Sequence, residues 1–202
     1  MNYLAHATLA EDSDEARLGA LLGDFSKGLR EEQLTETMRS ALLEHRAIDS
    51  WFDALPEIRA ERDHYPPRLK RFAGILTDVF FDHFLVKRWD DLVAVPLESV
   101  TSSLYRALNA YPEALPPRLR EVASSMERND WLGSYGDVRN IERALTGIAS
   151  RFRREVPLVE GLIVLEARRQ ELEDLVMEVF PKVERFVRSR RQELSGGAEP
   201  GS

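Results

Sequence analysis

The 202-residue chain contains no cysteine. That excludes disulfides, thiolate-bound metals and cysteine nucleophiles, and leaves oxygen and imidazole donors for any metal. It also lacks an apolar run of the ~18 residues that a membrane-spanning helix requires. The opening MNYLAHATLAEDSDE has neither the basic start nor the cleavage region of a secretory signal, so a cytoplasmic location is expected. Positive charge is in deficit, with 28 Lys+Arg against 35 Asp+Glu and a net charge of −7. This argues against a general affinity for nucleic acid, and an acidic partner would need a local basic surface. No segment shows sustained strand alternation.

What remains is helical. A hydrophobic content of 43% supports a sizeable core, most simply one all-α domain over residues 1–194, with SGGAEPGS at 195–202 as a disordered tail. Punctuation by proline and glycine yields a short apolar piece at 2–10 and a capped helix through DSDEARLGALLGDFSKG to about Gly28. A long helix follows from about Glu31 to Leu55, then a short one near 57–64. Pro66-Pro67 leads into the next, and further helices are expected at about 97–110, 117–131 and 137–153. The last runs from Val159 to about Leu194, with Pro181 as a kink or break. The similar strings PPRLK at 66–70 and PPRLR at 116–120 reflect proline's fitness for a first helical turn.

The stretch FAGILTDVFFDHFLVKRW, Phe72 to Trp89, is apolar on nearly every side of a helix and should be buried. Asp78 and Asp82 nevertheless share one of its faces, with His83 roughly 100° round the axis. Ionisable groups in such a helix must be paired, hydrogen-bonded or metal-bound, because unpaired burial of charge is costly. Similar anomalies occur elsewhere. His45 and Asp49 stand one turn apart beside Ile48 and Phe52; Asp24 sits among leucines in LGALLGDF; His6 lies between Leu4 and Leu9. Each has a bland explanation: His6 as a satisfied core histidine, Asp24 as a capping residue, Asp49 as a partner of Arg46. Their joint occurrence without cysteine matches a site for a divalent cation such as Mg²⁺ or Mn²⁺. His64, in the polar string ERDHYPP, receives no role.

NYLAH at 2–6, LGALLGDFSKG at 18–28, HRAID at 45–49, TDVFFDHFL at 77–85 and ASR at 149–151 together resemble the acyl carrier protein phosphodiesterase family, from the first residues to about position 155. The resemblance implies removal of the 4′-phosphopantetheine arm from holo-acyl carrier protein with a divalent cation, Mn²⁺ or Mg²⁺. It also implies a bundle of about eight to nine helices distantly like the HD-type metal phosphohydrolases. Asp24 stands at the family's functionally important aspartate. There is no His-Asp dipeptide here, the order being inverted as Asp82-His83.

Under this resemblance Asp24, His45 and Asp78 are the expected catalytic residues. They also belong to a pool of metal ligands with Asp82, His83, His6 and Asp49. Arg46, Arg151 and Lys27 are candidate phosphate ligands. Holo-acyl carrier protein is acidic, so Arg68, Lys70 and Arg71 in PPRLKR and Arg153 and Arg154 in SRFRRE are candidate docking residues. Arg185, Arg188, Arg190 and Arg191 are explained by the macrodipole at a helix C-terminus. Two other readings stay open: an HD-like hydrolase of a nucleotide such as ppGpp, and a non-catalytic helical protein that binds acyl carrier protein.

Overall fold

The computed structural model describes residues 1–196. Among the described residues there are eleven α-helices and no strand, so the all-α expectation holds with a somewhat higher helix count. They are α1 (Tyr3–Leu9), α2 (Asp14–Leu22), α3 (Glu36–Ala54), α4 (Pro56–Asp63), α5 (Ala73–Lys87), α6 (Trp89–Leu92), α7 (Leu97–Ala110), α8 (Pro117–Arg128), α9 (Val138–Ala149), α10 (Gly161–Ala167) and α11 (Arg169–Gly196). Most of the expected tail, 197–202, lies outside the described residues. Ser195 and Gly196 end α11.

Helix boundaries follow local chemistry. Ser13 caps α2 through the Ala16 amide, and Thr35 caps α3 through the Met38 amide. The long helix therefore begins at Glu36, while Glu31–Gln33 is a separate 3₁₀ turn. α2 stops at Leu22 and gives way to a 3₁₀ turn over Gly23–Phe25, so Asp24 sits on a tight corner and not within a helix. The loop beyond it reverses at Gly28, whose φ of +80° suits a residue without Cβ. In the C-terminal part the break falls at Arg168, and Pro181 lies inside a continuous helix.

α5 is the axis of the bundle. It packs against α1, α4, α9 and α11, and Leu76, Val79, Phe80, Phe81, Phe84 and Leu85 are all fully buried around its circumference. A helix apolar on every side needs neighbours on every side, and here it has them. α2 lies across α1, α3 and α7, which brings the Asp24 corner over the middle of α3.

Candidate metal centre and cleft

α1 has seven residues, too few to be stable alone, and its N-cap Asn2 makes no side-chain capping bond. The missing acceptor comes from α5. Asp82 Oδ2 accepts the Leu4 amide at 2.8 Å and Oδ1 the Ala5 amide at 3.0 Å. A carboxylate at this end of the helix also complements its dipole. Burial nevertheless dominates and pushes the Asp82 carboxyl up to about 7, against the opposing pull of these two amides. α1 is thereby pinned to α5, and His6 is carried to a fixed place.

That place is beside α3. The His6 and His45 rings stack at 3.8 Å between centroids, 30° from parallel. Both Nε2 atoms face one carboxylate: His6 lies 2.9 Å from Asp49 Oδ1 and His45 3.1 Å from Asp49 Oδ2. Gly23 permits this approach, since a Cβ there would overlap the His45 ring. Donor atoms of His6, His45 and Asp49 all lie within 4.8 Å of one another. Burial drives the His6 imidazole down to about 3, keeping it neutral, the form that ligates metals. Burial works against charge on Asp49 too, but the hydrogen bonds from His45 and His6 outweigh it and hold the carboxyl far below the ordinary range.

A second carboxylate adjoins the first. The Met1 amino group lies 3.1 Å from Asp49 and 3.5 Å from Asp78, and Arg62 reaches Asp78 at 3.5 Å and Asp53 at 2.7 Å. Burial opposes charge on the amine, yet the carboxylates of Asp78, Asp49 and Asp24 raise its pKa to about 10. Burial pushes Asp78 upward, tempered by that amine and by Arg62. Two imidazoles and a carboxylate form a donor set that could hold a metal ion.

The cluster opens onto a cleft of about 310 Å³ lined by Met1, Asn2, Tyr3, Asp24, Asp78 and Arg151, among others. Asp24 reaches solvent through the cleft, but surrounding protein desolvates its carboxyl enough to push it up to about 7. Arg151 also lines the cleft, with both terminal nitrogens 3.4 Å from the Tyr3 hydroxyl. The cleft thus brings a desolvated carboxyl and a guanidinium to the neighbourhood of the His6, His45 and Asp49 cluster.

A family model described as acyl carrier protein phosphodiesterase matches residues 1–183. The chain belongs to the acyl carrier protein phosphodiesterase family. Proteins named acyl carrier protein phosphodiesterase from Escherichia coli O139:H28 (strain E24377A / ETEC), O9:H4 (strain HS) and K12 / DH10B are each 33% identical to it over 185 residues, covering 91% of this chain and 95% of theirs. No solved structure matches it.

Within this family member the expected site residues divide. His6, His45, Asp49, Asp78 and Asp24 come together. Asp82 and His83 do not join them: Asp82 is occupied by backbone amides, and His83 Nδ1 bonds the Tyr135 carbonyl at 2.7 Å. Arg151 lines the cleft, whereas Arg46 is engaged with Glu31 at 2.9 Å and Lys27 is exposed away from the cleft lining. Of the docking candidates, Arg68 pairs with Glu160 and Lys70 with Asp63. Arg71, Arg153 and Arg154 instead flank a second hollow of about 380 Å³ that shares Ile75 and Phe152 with the cleft. Sequence reasoning missed Tyr3 and Arg62. Neither residue type carries a signal at its position, because each gains its role from a neighbour distant in the chain.

Proposed function

We propose that this protein is a divalent-metal-dependent phosphodiesterase that cleaves holo-acyl carrier protein into apo-acyl carrier protein and 4′-phosphopantetheine. The observation that carries the reading is the convergence of His6, His45 and Asp49 beside a cleft bearing Asp24, Asp78 and Arg151. His6, His45 and Asp49 would hold the ion, with Asp78 adjoining. Two imidazoles favour Mn²⁺ over Mg²⁺, which prefers oxygen ligands and retained water. Such an ion acidifies water and neutralises phosphoryl charge.

The chain's own groups supply the rest. Asp24, with a carboxyl that exchanges its proton near neutrality, orients the attacking water and accepts its proton. Arg151 binds a non-bridging phosphoryl oxygen, and its contact with Tyr3 limits its freedom. The water oxygen bonds to phosphorus, the bond from phosphorus to the serine oxygen breaks, and a proton passes to that oxygen. The acidic carrier protein docks on Arg71, Arg153 and Arg154, for which no carboxylate partner lies within ion-pair distance among the described residues, with the exposed Phe152 as an apolar contact between docking surface and cleft.

Incubation of the purified protein with holo-acyl carrier protein and Mn²⁺, followed by intact-mass measurement, tests the reading. The carrier protein should lose the mass of its phosphopantetheine arm. An unchanged carrier protein, with ppGpp turned over instead, would overturn it.

A further inference from the structure

Cleavage at the serine leaves an alkoxide, a far stronger base than a phenolate, so a proton donor beside the departing oxygen lowers the barrier. Tyr3 carries the one hydroxyl among the residues lining the cleft. It is the first residue of α1, and the anchoring of the next two amides to Asp82 fixes its place. Its ring packs against Phe25 at 5.4 Å between centroids, and only 6% of the residue is exposed. Both terminal nitrogens of Arg151 donate towards the Tyr3 oxygen at 3.4 Å. The hydroxyl is therefore an acceptor on that side, and among the described residues it donates to nothing, which leaves its own hydrogen uncommitted. Burial and the negative charge of Asp24 favour keeping that hydrogen, with Arg151 pulling the other way. The other ionisable groups of the cleft are engaged. The Met1 ammonium lies between Asp49 and Asp78, Asp78 also faces Arg62, and Asp24 is the acceptor of the water's proton. An arginine side chain keeps its protons throughout.

We propose that Tyr3 is the general acid of the reaction, giving its hydroxyl proton to the serine oxygen as the bond to phosphorus breaks. The inference rests on the phosphodiesterase reading and completes its proton balance. The water oxygen bonds to phosphorus, the electron pair of the bond between phosphorus and the serine oxygen goes to that oxygen, and the Tyr3 proton joins it there. The phenolate left behind is paired with Arg151, whose five donors allow it to serve a phosphoryl oxygen as well. The proton that Asp24 took from the water then returns to the phenolate through solvent in the cleft, and both residues are restored.

Turnover by the full-length protein with Mn²⁺ on two substrates tests the assignment. In holo-acyl carrier protein the serine oxygen needs a proton to leave, whereas bis(4-nitrophenyl) phosphate releases a nitrophenolate that needs none. Tyr3→Phe keeps the ring on Phe25. It should lower kcat for holo-acyl carrier protein about 100-fold or more and leave kcat for the aryl diester within about threefold of wild type. Arg151→Gln should slow both substrates, because both present a phosphate. Tyr3→Ala gives a second readout: added phenol should restore part of its turnover of holo-acyl carrier protein, and toluene should restore none. Equal losses on the two substrates in Tyr3→Phe, or equal restoration of Tyr3→Ala by toluene, would reduce Tyr3 to a support for Arg151 and overturn the proposal. Undiminished cleavage of holo-acyl carrier protein by Tyr3→Phe would overturn it too, while leaving the phosphodiesterase reading intact. That reading falls only if wild type leaves the carrier protein uncleaved.

Discussion

His6 on α1 and His45 on α3 stack face to face at 3.8 Å, and each directs Nε2 at a different oxygen of Asp49. One carboxylate thus sets the direction of two imidazoles. Asp49→Ala should lower Mn²⁺ affinity by more than the roughly 10–100-fold typical of losing a ligand's supporting partner. Electron paramagnetic resonance of free Mn²⁺ in a titration measures this, and wild-type affinity would remove Asp49 from the centre.

His83 gives the opposite expectation. Its Nδ1 is committed to the Tyr135 carbonyl in the buried core. His83→Leu should leave Mn²⁺ affinity within about threefold of wild type while costing about 1–3 kcal/mol of stability through the unpaired carbonyl. Denaturant unfolding and the same Mn²⁺ titration, run in parallel, separate the two roles. A large fall in affinity with unchanged stability would restore His83 as a ligand.

Gly23 tests the close packing behind His45. Gly23→Ala places a methyl group in the volume of the His45 ring, and overpacking of this kind costs about 1–3 kcal/mol. Metal affinity should fall along with Tm, whereas an alanine tolerated without either effect would mean that α2 has room to shift.

The pH dependence of stability should report Asp82. Its folded pKa of about 7 lies above the ordinary carboxyl value of 3.8, so the folded state retains a proton that the unfolded state has released. Its contribution is therefore fullest below about pH 4 and declines as pH rises towards 7. Relative to Asp82→Asn, wild type should lose Tm across that interval, with a constant difference above it. A difference growing in the opposite direction would show that the Leu4 and Ala5 amides outweigh burial.

Docking is separable from chemistry. Reversing charge at Arg71, Arg153 and Arg154 together should raise KM for holo-acyl carrier protein at least about tenfold and leave turnover of a small phosphodiester unchanged. Arg68→Glu, at a position already paired with Glu160, should do less. Equal effects from both variants would mean that overall charge, and not this surface, governs the encounter.

The amino-acid order alone determined that the protein is helical, that a buried helix runs within Phe72 to Trp89, its limits in the structure being Ala73 and Lys87, and that Asp24, His45, Asp49 and Asp78 are anomalous on their own elements. Periodicity and composition carry that much, because a polar group on an apolar face is conspicuous whatever surrounds it. Only the tertiary structure decided which anomalies belong together. Asp78 and Asp82 share a face of α5, yet Asp78 reaches the cation cluster and Asp82 caps a helix from across the core. Tyr3 and Arg151, far apart in the chain, meet in the lining of one cleft. Helical spacing specifies direction round an axis, while distance between helices depends on packing, here on a missing Cβ at Gly23 and a borrowed cap for α1.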